Sequence, residues 1–434
     1  ISFAEYAPKP EPRMWFEVEY FSNNVSRNSF GITPVLVSLN SICSPTSLIL
    51  ICISSLSGEA STEFLIKLLN IDKDVLLKPL QMVSGIVERR HTLPILSNVF
   101  LKADGHTLEV IATDLEIQIA TNATLEKSYQ GDTLTISARK TLDILRALPD
   151  KTKISLEASE NRAILKSGKS KFNLQTLPAT DFPLIAAKDN AKLDTIKIEQ
   201  KVLKDMLQKV HFSMAQQDIR YYLNGLLLVL DGDTMRLIAT DGHRLSHTST
   251  KLKESAGNRE TILPRKTVLE LLKLLDGNES TVEIKITDTQ ITIQFSDVTL
   301  VSKLVDGKFP DYKRVIPTDL NNELIIGRDS LQGALQRASI LSNEKFRGVR
   351  WVLTKNLLKI ICSNSEQEEA EEELEVSYQG EPLDIGFNVN YLLDCLSNVG
   401  TQDINCALGD SNSSMLMTIK EDSTFQYVVM PMRI

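Results

Sequence analysis

Residues 216–245 read QQDIRYYLNGLLLVLDGDTMRLIATDGHRL, and this stretch sets the pattern for the rest of the chain. An apolar run at 226–230 is followed by Asp231, Gly232 and Asp233, and then by a second run rich in β-forming residues at 235–240. Two such runs separated by a polar turn that contains glycine are typical of a β-hairpin. The stretch therefore predicts two paired strands joined at this turn.

Altered copies of this hairpin lie on either side of it. DGHTLEVIATDLE at 104–116 matches DGDTMRLIATDGHRL at 231–245, and FRGVRWVLTKNLLKIICSNSEQ at 346–367 has the same order of strand, turn and strand. Asp114, Asp241 and Asn364 are equivalent, at spacings of 127 and 123 residues. This period is far longer than the roughly 20–50 residues of a solenoid repeat. A chain of 434 residues, at about 150 per domain, likewise predicts three domains of one fold in tandem.

The composition is that of ordinary globular domains, with 42% hydrophobic and 24% charged residues. The net charge of -8 argues against a protein that coats nucleic acid through many phosphate contacts, although locally basic surfaces are compatible with it. The five cysteines include no CxxC pair. They favour a reduced cytosol over a disulfide framework or a zinc site, and we expect neither a metal nor a cofactor.

Residues 1–66 fall outside the period and differ in composition from the three repeats. Ser, Asn and Pro are frequent there, and the apolar run SLILICISSL at 47–56 is shorter than the about 20 residues of a membrane helix. Two interpretations stay open. One is a targeting segment, although its apolar run would begin late and after acidic residues. The favoured one is an extension with no role in the fold, and we expect no membrane association.

Each repeat opens with a one-sided helix, which apolar residues three or four apart predict around 76–87, 203–210 and 331–338. Pro79 within the first pattern predicts a helix start or a bend nearby. A second helix follows each hairpin, and strands with period-two alternation then close each unit. The fold class is therefore α+β, with helices on one face of each sheet.

Several long stretches say more than the periodicity. They are RYYLNG (220–225), ATDGHRL (239–245), LVDGKFPDY (304–312), LSNEKFRGVR (341–350), EQEEAEE (366–372), GFNVNY (386–391) and YVVMPMRI (427–434). From about Lys67 to the C terminus the chain closely resembles the β subunit of bacterial DNA polymerase III, the sliding clamp. The resemblance leaves 1–66 unmatched and predicts clamp domains at 67–190, 191–312 and 313–434.

The resemblance implies a head-to-tail homodimer whose six similar domains close a ring, with helices lining the hole and sheets forming the rim. Such a ring encircles duplex DNA without reading its sequence and confers processivity on the replicative polymerase. An acidic chain suits this role, because topological retention needs no tight DNA contacts if the inner helices carry basic residues. The further partners implied are the clamp loader, translesion polymerases, and mismatch-repair and ligase proteins, in a bacterial cytoplasm at the nucleoid.

The candidate DNA contacts are arginines, tyrosines, lysines and one glutamine: Arg89, Arg90, Gln217, Arg220, Tyr221, Tyr222, Lys140 and Lys266. Arginine supplies phosphate contacts, and tyrosine supplies stacking or a hydroxyl donor. Packing within a strand is the alternative role for the two tyrosines. The resemblance favours the DNA role, because positions matching Arg90, Gln217, Tyr221 and Tyr222 touch DNA in similar clamps. The two lysines are weaker candidates, since surface lysines are usually only solvated.

The resemblance also implies a cleft for partner peptides between the second and third domains. The matching residues are Leu223, Thr240, Gly242, His243, Arg244, Leu245, Pro310, Arg314, Val315, Phe346, Asn388, Tyr391, Ser414, Val428, Val429, Met430, Pro431, Met432 and Arg433. Methionine and leucine offer an adaptable apolar pocket, while Arg314 and Arg244 can orient an extended peptide. Asn412 departs from the apolar residue expected beside this cleft.

The dimer is expected to be sealed between the first and third domains. Phe172 and Leu174 lie on a predicted strand of the first domain, and Ile340 and Leu341 match family positions packed across the interface. Ordinary core packing is the alternative role for these residues. The acidic run at 366–375 is expected to be an outward loop, solvated or, as a minor option, facing a partner.

Catalysis has little support in the sequence. It contains no GxxxxGK[ST], HExxH or GxSxG motif. The alternative function is a polymerase-associated enzyme with its own nucleotidyl-transfer or nuclease site, which needs clustered carboxylates for two metal ions. Asp114 and Asp241 belong to different repeats, so the sequence favours a protein without catalytic residues.

Overall fold

The computed structural model describes residues 66–88, 93–158, 162–186, 194–318, 320–420 and 422–433. All of these residues belong to one compact unit. The expectations for residues 1–65 therefore lie outside the described residues. No helix in the described part of the chain is long and apolar enough to cross a membrane.

The first repeat follows the predicted order of helix, hairpin, helix and closing strands. Its elements are β1 (Ile66–Asp72), α1 (Lys73–Val83), β2 (Asn98–Thr113), β3 (Ile117–Ser137), α2 (Ala138–Ala147), β4 (Lys153–Ala158), β5 (Arg162–Ser167) and β6 (Ser170–Gln175). Pro79 lies inside α1, so the expectation of a helix start near this proline is wrong. The helix begins at Lys73 because β1 pairs with β4 up to Asp72, and Lys73 N then donates to Thr152 O at 2.9 Å.

The second repeat contains the predicted hairpin. Its elements are β7 (Asp194–Glu199), α3 (Gln200–Val210), β8 (Gly225–Asp231), β9 (Thr234–Thr240), β10 (Arg244–Lys251), β11 (Arg259–Pro264), α4 (Arg265–Leu274), β12 (Thr281–Ile286), β13 (Gln290–Phe295) and β14 (Val298–Lys303). Strands β8 and β9 are joined at Gly232, whose φ of 60° is readily adopted by glycine. The hairpin prediction is confirmed.

The third repeat ends in a closing strand of eight residues, β23. Its elements are β15 (Asn322–Gly327), α5 (Arg328–Ala338), β16 (Gly348–Thr354), β17 (Leu357–Ser363), β18 (Glu369–Glu375), β19 (Ser377–Tyr378), β20 (Leu383–Asn388), α6 (Val389–Asn398), β21 (Asp403–Leu408), β22 (Met415–Ile419) and β23 (Asp422–Val429). The α+β class and the second helix of each repeat are confirmed.

Most of the acidic run, Glu369–Glu375, is a strand, so the expectation of a loop is wrong there, while residues 366–368 lie in the turn before it. Strand β18 pairs with β17 along its whole length, and its side chains alternate between exposed and half-buried. Basic neighbours make this possible. Lys359 Nζ lies 2.6 Å from Glu371 and 3.3 Å from Glu373, and Arg337 forms a bidentate pair with Glu372. Cross-strand charge compensation therefore overrides the low β propensity of glutamate.

The sheets run across the boundaries between repeats. The four strand orders are β1-β4-β5-β6, β2-β3-β14-β13-β12-β7, β11-β8-β9-β10-β23-β22-β21-β15-β19 and β18-β17-β16-β20. The last strand of the second repeat, β14, pairs with β3 of the first, and the last strand of the third, β23, pairs with β10 of the second. Within the described residues, β6 and β18 are left at the ends of their sheets.

The core lies between the sheets and the helices. In β8, Leu226, Leu228 and Leu230 join the large cluster that packs against the helices. The alternate residues Leu227 and Val229 belong to a smaller cluster on the opposite face. Because successive side chains of a strand point to opposite faces, this hairpin is buried on both sides. Its outer cluster is the base of the predicted cleft.

Candidate nucleic-acid interface and partner cleft

Several predicted DNA contacts lie in a loop, residues 216–222, that precedes β8 and carries its own support. Asn224 braces it: its side-chain oxygen accepts from Asp218 N at 2.9 Å, and its amide donates to Asp218 O at 2.8 Å. Gln217 has a positive φ of 57°, and Ile219 is 96% exposed. The loop is thus held in one conformation with an apolar tip that projects from the surface.

Tyr221 and Tyr222 lie in a 3₁₀ turn, Tyr221–Leu223, and not in a strand. Tyr221 is exposed, so the packing alternative is wrong for it, whereas Tyr222 is half-buried and packs from this turn against the apolar cluster that contains Leu223. Their rings pack edge to face with centroids 5.8 Å apart, and the ring of Tyr221 is 58% exposed. Gly307 passes so close that a Cβ there would lie 3.2 Å from Tyr222 Cβ. The exposed face of Tyr221 is available to stack on or donate to a ligand.

Lys266 is already engaged at the boundary between the first and second repeats. Its ammonium lies 2.8 Å from Glu88 Oε1 and 2.5 Å from Asp114 Oδ2. Burial alone would lower the pKa of Lys266, but the hydrogen bonds to Asp114 and Glu88 raise it above its ordinary value. This lysine therefore joins two domains, and its charge is neutralised within the chain.

The other basic candidates are placed differently. Lys140 is exposed on α2 and stays a DNA candidate. Arg220 forms a bidentate pair with Asp218, with Nη2 2.8 Å from Oδ2. Arg89 and Arg90 lie outside the described residues.

The helices are basic although the chain is acidic. Together α1–α6 carry thirteen Lys or Arg and six Asp or Glu residues, against a net charge of -8 for the whole sequence. The excess positive charge lies on the helix side, since all six helices cover one face of their sheets. Helices with such an excess of positive charge can attract a polyanion such as DNA.

The predicted cleft is built on one apolar cluster on the outer face of the sheet. Leu223, Leu245 and Val428 are buried in it, and Val315 packs against it. Strand pairing explains how they meet, because Leu245 of β10 lies directly opposite Val428 of β23. The structure thus brings cleft residues from the second and third repeats into a single apolar floor.

The C-terminal tail forms one wall of this cleft. Met430 N donates to His243 O at 2.9 Å, and Met432 N donates to Gly386 O at 2.7 Å. Met430 remains 39% exposed. The tail is therefore fixed by backbone bonds while a methionine stays open to a ligand, which suits an adaptable apolar wall.

Arg244 does not face the outer cluster. Its side chain is 9% exposed, lies on the helix side, and stacks on the Tyr391 ring at 4.4 Å. It contacts Asp241 Oδ2 at 3.0 Å, Asp394 Oδ2 at 2.7 Å and Phe212 O at 2.7 Å. Burial alone would lower the pKa of Arg244, but the nearby Tyr427 hydroxyl and the two carboxylates raise it. Arg244 and Tyr391 therefore join two repeats, and this arginine has little left to orient a peptide.

The remaining residues assigned to the cleft lie outside the apolar floor. Thr240 is buried, and its hydroxyl donates to Arg244 O at 2.6 Å. Asn388 caps α6 by accepting from Asn390 N at 2.9 Å. Arg314 has an 86% exposed side chain, paired with Asp311, and can reach a ligand from the rim. The others are Gly242, Pro310, Val429, Ser414 and Pro431, of which Val429 is buried in the core of the third repeat.

A groove of about 1090 Å³ continues from the tail over the outer face of the third repeat. Phe346, Met432 and Arg433 line it, and Phe346 is 55% exposed. Asn412 also lines this groove and is exposed. Asparagine in place of the expected apolar residue at position 412 therefore gives the groove a polar wall.

The predicted interface residues lie on or beside β6 and β18, which are both at the end of a sheet. Phe172 and Leu174 are on β6, where Leu174 is buried and Phe172 half-buried. Ile340 and Leu341 lie in the 3₁₀ turn Ser339–Leu341 after α5, and Ile340 is 77% exposed. An isoleucine exposed beside the edge of β18 is available for contact with another chain.

Two cluster residues were missed by the sequence analysis. Phe309 and Tyr312 are both buried in the cleft floor, and the Tyr312 ring stacks on His247 with centroids 6.0 Å apart. Their aromatic i,i+3 spacing within LVDGKFPDY was the available signal.

The equivalent aspartates of the first two repeats have structural roles. Asp241 Oδ1 accepts from His243 N and Arg244 N, and Asp114 Oδ1 accepts from Glu116 N and Ile117 N. Each therefore holds the turn after its hairpin. Among the described residues, no group of three or more His, Cys, Asp or Glu side chains is arranged to hold a metal ion.

Family models match the chain in three consecutive pieces. The N-terminal domain of the DNA polymerase III β subunit matches residues 67–186, its central domain 197–311 and its C-terminal domain 313–433. The chain belongs to the DNA polymerase III β subunit family, the sliding clamps. It consists of three clamp domains, and it is a processivity factor and not an enzyme. The alternative of a polymerase-associated enzyme is therefore wrong.

Known sliding clamps are similar over almost their full length. Those of Vibrio cholerae and Pseudomonas aeruginosa are 44% and 45% identical, over 84% of this chain and 99% of each relative. A crystal structure of the P. aeruginosa clamp bound to griselimycin is 45% identical with a TM-score of 0.80, covering 84% of this chain and 99% of that chain. The Caulobacter crescentus β subunit is 35% identical with a TM-score of 0.78, at the same two coverages.

Proposed function

We propose that two copies of this chain close head to tail into a ring that encircles duplex DNA in the bacterial cytoplasm, at the nucleoid. Its clamp domains are 67–190, 191–312 and 313–434, with 1–66 outside the clamp fold. The ring holds the replicative polymerase on DNA and serves as a docking platform for other partners.

The pairing of strands between repeats is the observation that carries this proposal. Leu300 of β14 lies opposite Ile119 of β3, and Tyr427 of β23 lies opposite Ser246 of β10. Leu300 and Tyr427 are at equivalent positions in the last strand of their repeats. Leu300 pairs with Ile293 of β13, and Tyr427 pairs in the same way with Met417 of β22. The chain thus uses one junction twice, between the first and second repeats and between the second and third.

A third use of the same junction closes the ring. Phe172 of β6 is equivalent to Leu300, because it pairs with Leu165 of β5 in the same way. Ala370 of β18 is equivalent to Ser246 of β10. Ala370 pairs with Cys362 and Ser246 pairs with Ala239, and these two partners occupy the same position in the preceding strand. If the same pairing joins two copies of the chain, Phe172 of one copy lies opposite Ala370 of the other. Two copies make this head-to-tail contact twice, and the two contacts close a ring.

Charge supports this register. With Phe172 opposite Ala370, the exposed Lys171 falls opposite Glu371 and Lys169 falls opposite Glu373. Opposite charges directly across an antiparallel pair contribute roughly 0.2–1 kcal/mol each. The dimer interface of Phe172, Leu174, Ile340 and Leu341 is then flanked by ion pairs.

The helix side of the ring faces DNA. Gln217, Tyr221, Tyr222 and Lys140 are the proposed contacts among the described residues, and Arg89 and Arg90 remain predictions outside them. Their contacts are to phosphate and sugar, so the ring slides without reading sequence. Arg220 and Lys266 are paired within the chain and are left out of this set.

The cleft between the second and third domains takes partner peptides. Its apolar floor and open methionine wall suit short extended segments, and griselimycin, which a similar clamp binds, is a suitable probe. We propose that the clamp loader, replicative and translesion polymerases, and mismatch-repair and ligase proteins compete for this one cleft.

Mass in solution tests the proposal. Sedimentation of the full chain, and of a chain beginning at residue 67, should give twice the monomer mass, which is 48.5 kDa for the full chain. A monomer at micromolar concentration in both forms would overturn the ring. A dimer only in the full chain would show that residues 1–66 make the contact instead of β6 and β18.

A further inference from the structure

The loop at 216–222 lies against the turn that carries the peptide cleft. Arg220 Nη2 donates to Asp241 O at 3.2 Å, in addition to the bidentate pair with Asp218. A Cβ added at Gly242 would lie 3.0 Å from Arg220 Nη2 and 3.1 Å from Nη1. The guanidinium therefore packs flat on the backbone of Gly242, whose φ of 89° also favours glycine.

Arg220 is poorly arranged for a phosphate. Both oxygens of Asp218 are within 3.0 Å of its guanidinium, and Asp218 Oδ1 also accepts from Arg220 N at 2.7 Å. The hydrogen bond with Arg220 holds the pKa of Asp218 at about 2, so the carboxylate is charged at neutral pH. A phosphate reaching this arginine would meet a fixed negative charge beside it.

The turn on the other side of Arg220 supports the cleft wall. Asp241 Oδ1 accepts from His243 N at 2.9 Å, and His243 O accepts from Met430 N of the tail at 2.9 Å. On the loop side, Leu223 N donates to Arg220 O at 2.8 Å, and the Leu223 side chain lies in the cleft floor. Arg220 therefore touches both the segment that carries Tyr221 and the segment that holds the tail.

We propose that Arg220 is a positioning residue, a strut that fixes the DNA-contact loop to the 241–244 turn, so that DNA binding and peptide binding share one support. The proposal rests on the proposed function of the loop and of the cleft. A strut differs from a phosphate contact in what its loss does. Loss of a phosphate contact lowers the salt slope of DNA binding by about one and leaves griselimycin binding unchanged. Loss of a strut weakens both ligands.

Asp218→Asn separates the two roles because they predict opposite signs. If Arg220 is a strut, Asp218→Asn releases it and weakens both duplex-DNA binding and griselimycin binding, as Arg220→Ala does. We expect losses of about three- to tenfold for each ligand in each variant. If Arg220 binds phosphate, Asp218→Asn removes a competing negative charge and strengthens DNA binding. Tighter DNA binding, or unchanged griselimycin affinity in both variants, would overturn the strut.

Two further variants complete the test. Arg220→Lys keeps the charge but loses the planar fork, so a strut predicts most of the Arg220→Ala defect and a phosphate contact predicts little. Tyr221→Ala is the reference for the proposed function and should weaken DNA binding alone. If Tyr221→Ala leaves DNA binding intact, the DNA role of the loop fails. If it weakens DNA binding while Arg220→Ala spares griselimycin, only the strut fails. Unfolding midpoints of all four variants show whether any loss reflects misfolding.

Discussion

Arg244 of the second domain donates to Asp394 of the third at 2.7 Å, with its guanidinium stacked on the ring of Tyr391. The equivalent boundary between the first and second domains is also joined by an ion pair, from Lys266 to Asp114. Cations of the second domain thus reach carboxylates of both neighbours. The boundaries within one chain are held by the helix side as well as by paired strands.

Arg244→Ala should destabilise the folded chain. It leaves the largely buried Asp241 without its cation and removes the packing on Tyr391. Because Asp394 is nearly half exposed, we expect a loss of about 2–3 kcal/mol, below the usual cost of breaking a fully buried pair. Urea unfolding measures it. Arg350→Ala is the matched control, since Arg350 pairs with Asp384 on the surface and its loss should change stability little. Equal effects of the two changes would show that the boundary contact is unimportant.

Replacement of both Ile340 and Leu341 by alanine should give folded monomers. If the second copy covers these side chains, the change removes apolar burial and raises the dimer dissociation constant by about a hundredfold or more. Analytical ultracentrifugation over a dilution series measures this. Ile219→Ala is the matched control, because Ile219 is also an exposed isoleucine but lies on the DNA loop. A dimer of unchanged affinity would refute the interface.

Lys171→Glu should weaken the dimer, and adding Glu371→Lys should restore part of the loss, because Glu371→Lys also removes the pair with Lys359. The single change places like charges directly across β6 and β18, and the double change exchanges the signs. Both effects should shrink at high salt, since the pair is exposed. A double-mutant cycle on the dimer constant gives the coupling energy. Coupling near zero at low salt would contradict the register, even if the strands pair.

Deleting residues 430–434 should abolish griselimycin binding and leave the dimer intact. The deletion removes the exposed Met430 and the groove-lining Met432, while Val428 and Val429 remain in β23. Calorimetric titration measures the loss, and the unfolding midpoint shows that the fold survives. Undiminished binding would show that the ligand sits elsewhere.

Periodicity in the sequence predicted the repeated elements, because the local spacing of apolar residues indicates each hairpin and each helix. It could not predict which strands pair between repeats, since β14 and β3 are distant in sequence and share no local signal. The acidic strand β18 was mistaken for a loop because its compensating cations, Lys359 and Arg337, lie on other elements. The resemblance assigned both Arg244 and Leu245 to the cleft. Because they are neighbours on a strand, alternation of side chains predicts that they point to opposite faces.

Some features of the site could be predicted from the sequence and others could not. Leu223, Leu245 and Val428 could be predicted as one cleft floor from the resemblance, and the structure brings them together. The sequence could not predict that Arg220 pairs with Asp218 or that Lys266 pairs with Asp114, because an ion pair depends on side-chain placement after folding. Basic residue type alone therefore overstates the number of DNA contacts.

Retention on circular and linear DNA tests the ring most directly. A chain carrying Phe172→Cys and Ala370→Cys would be loaded on nicked circular DNA and then oxidised, with Phe172→Cys plus Glu372→Cys as the misregistered control. The account predicts efficient cross-linking of the first pair only. The cross-linked ring should resist high salt on the circle and leave within minutes once the DNA is cut. Equal retention on circular and linear DNA, or salt-induced loss of the cross-linked protein from the intact circle, would contradict it.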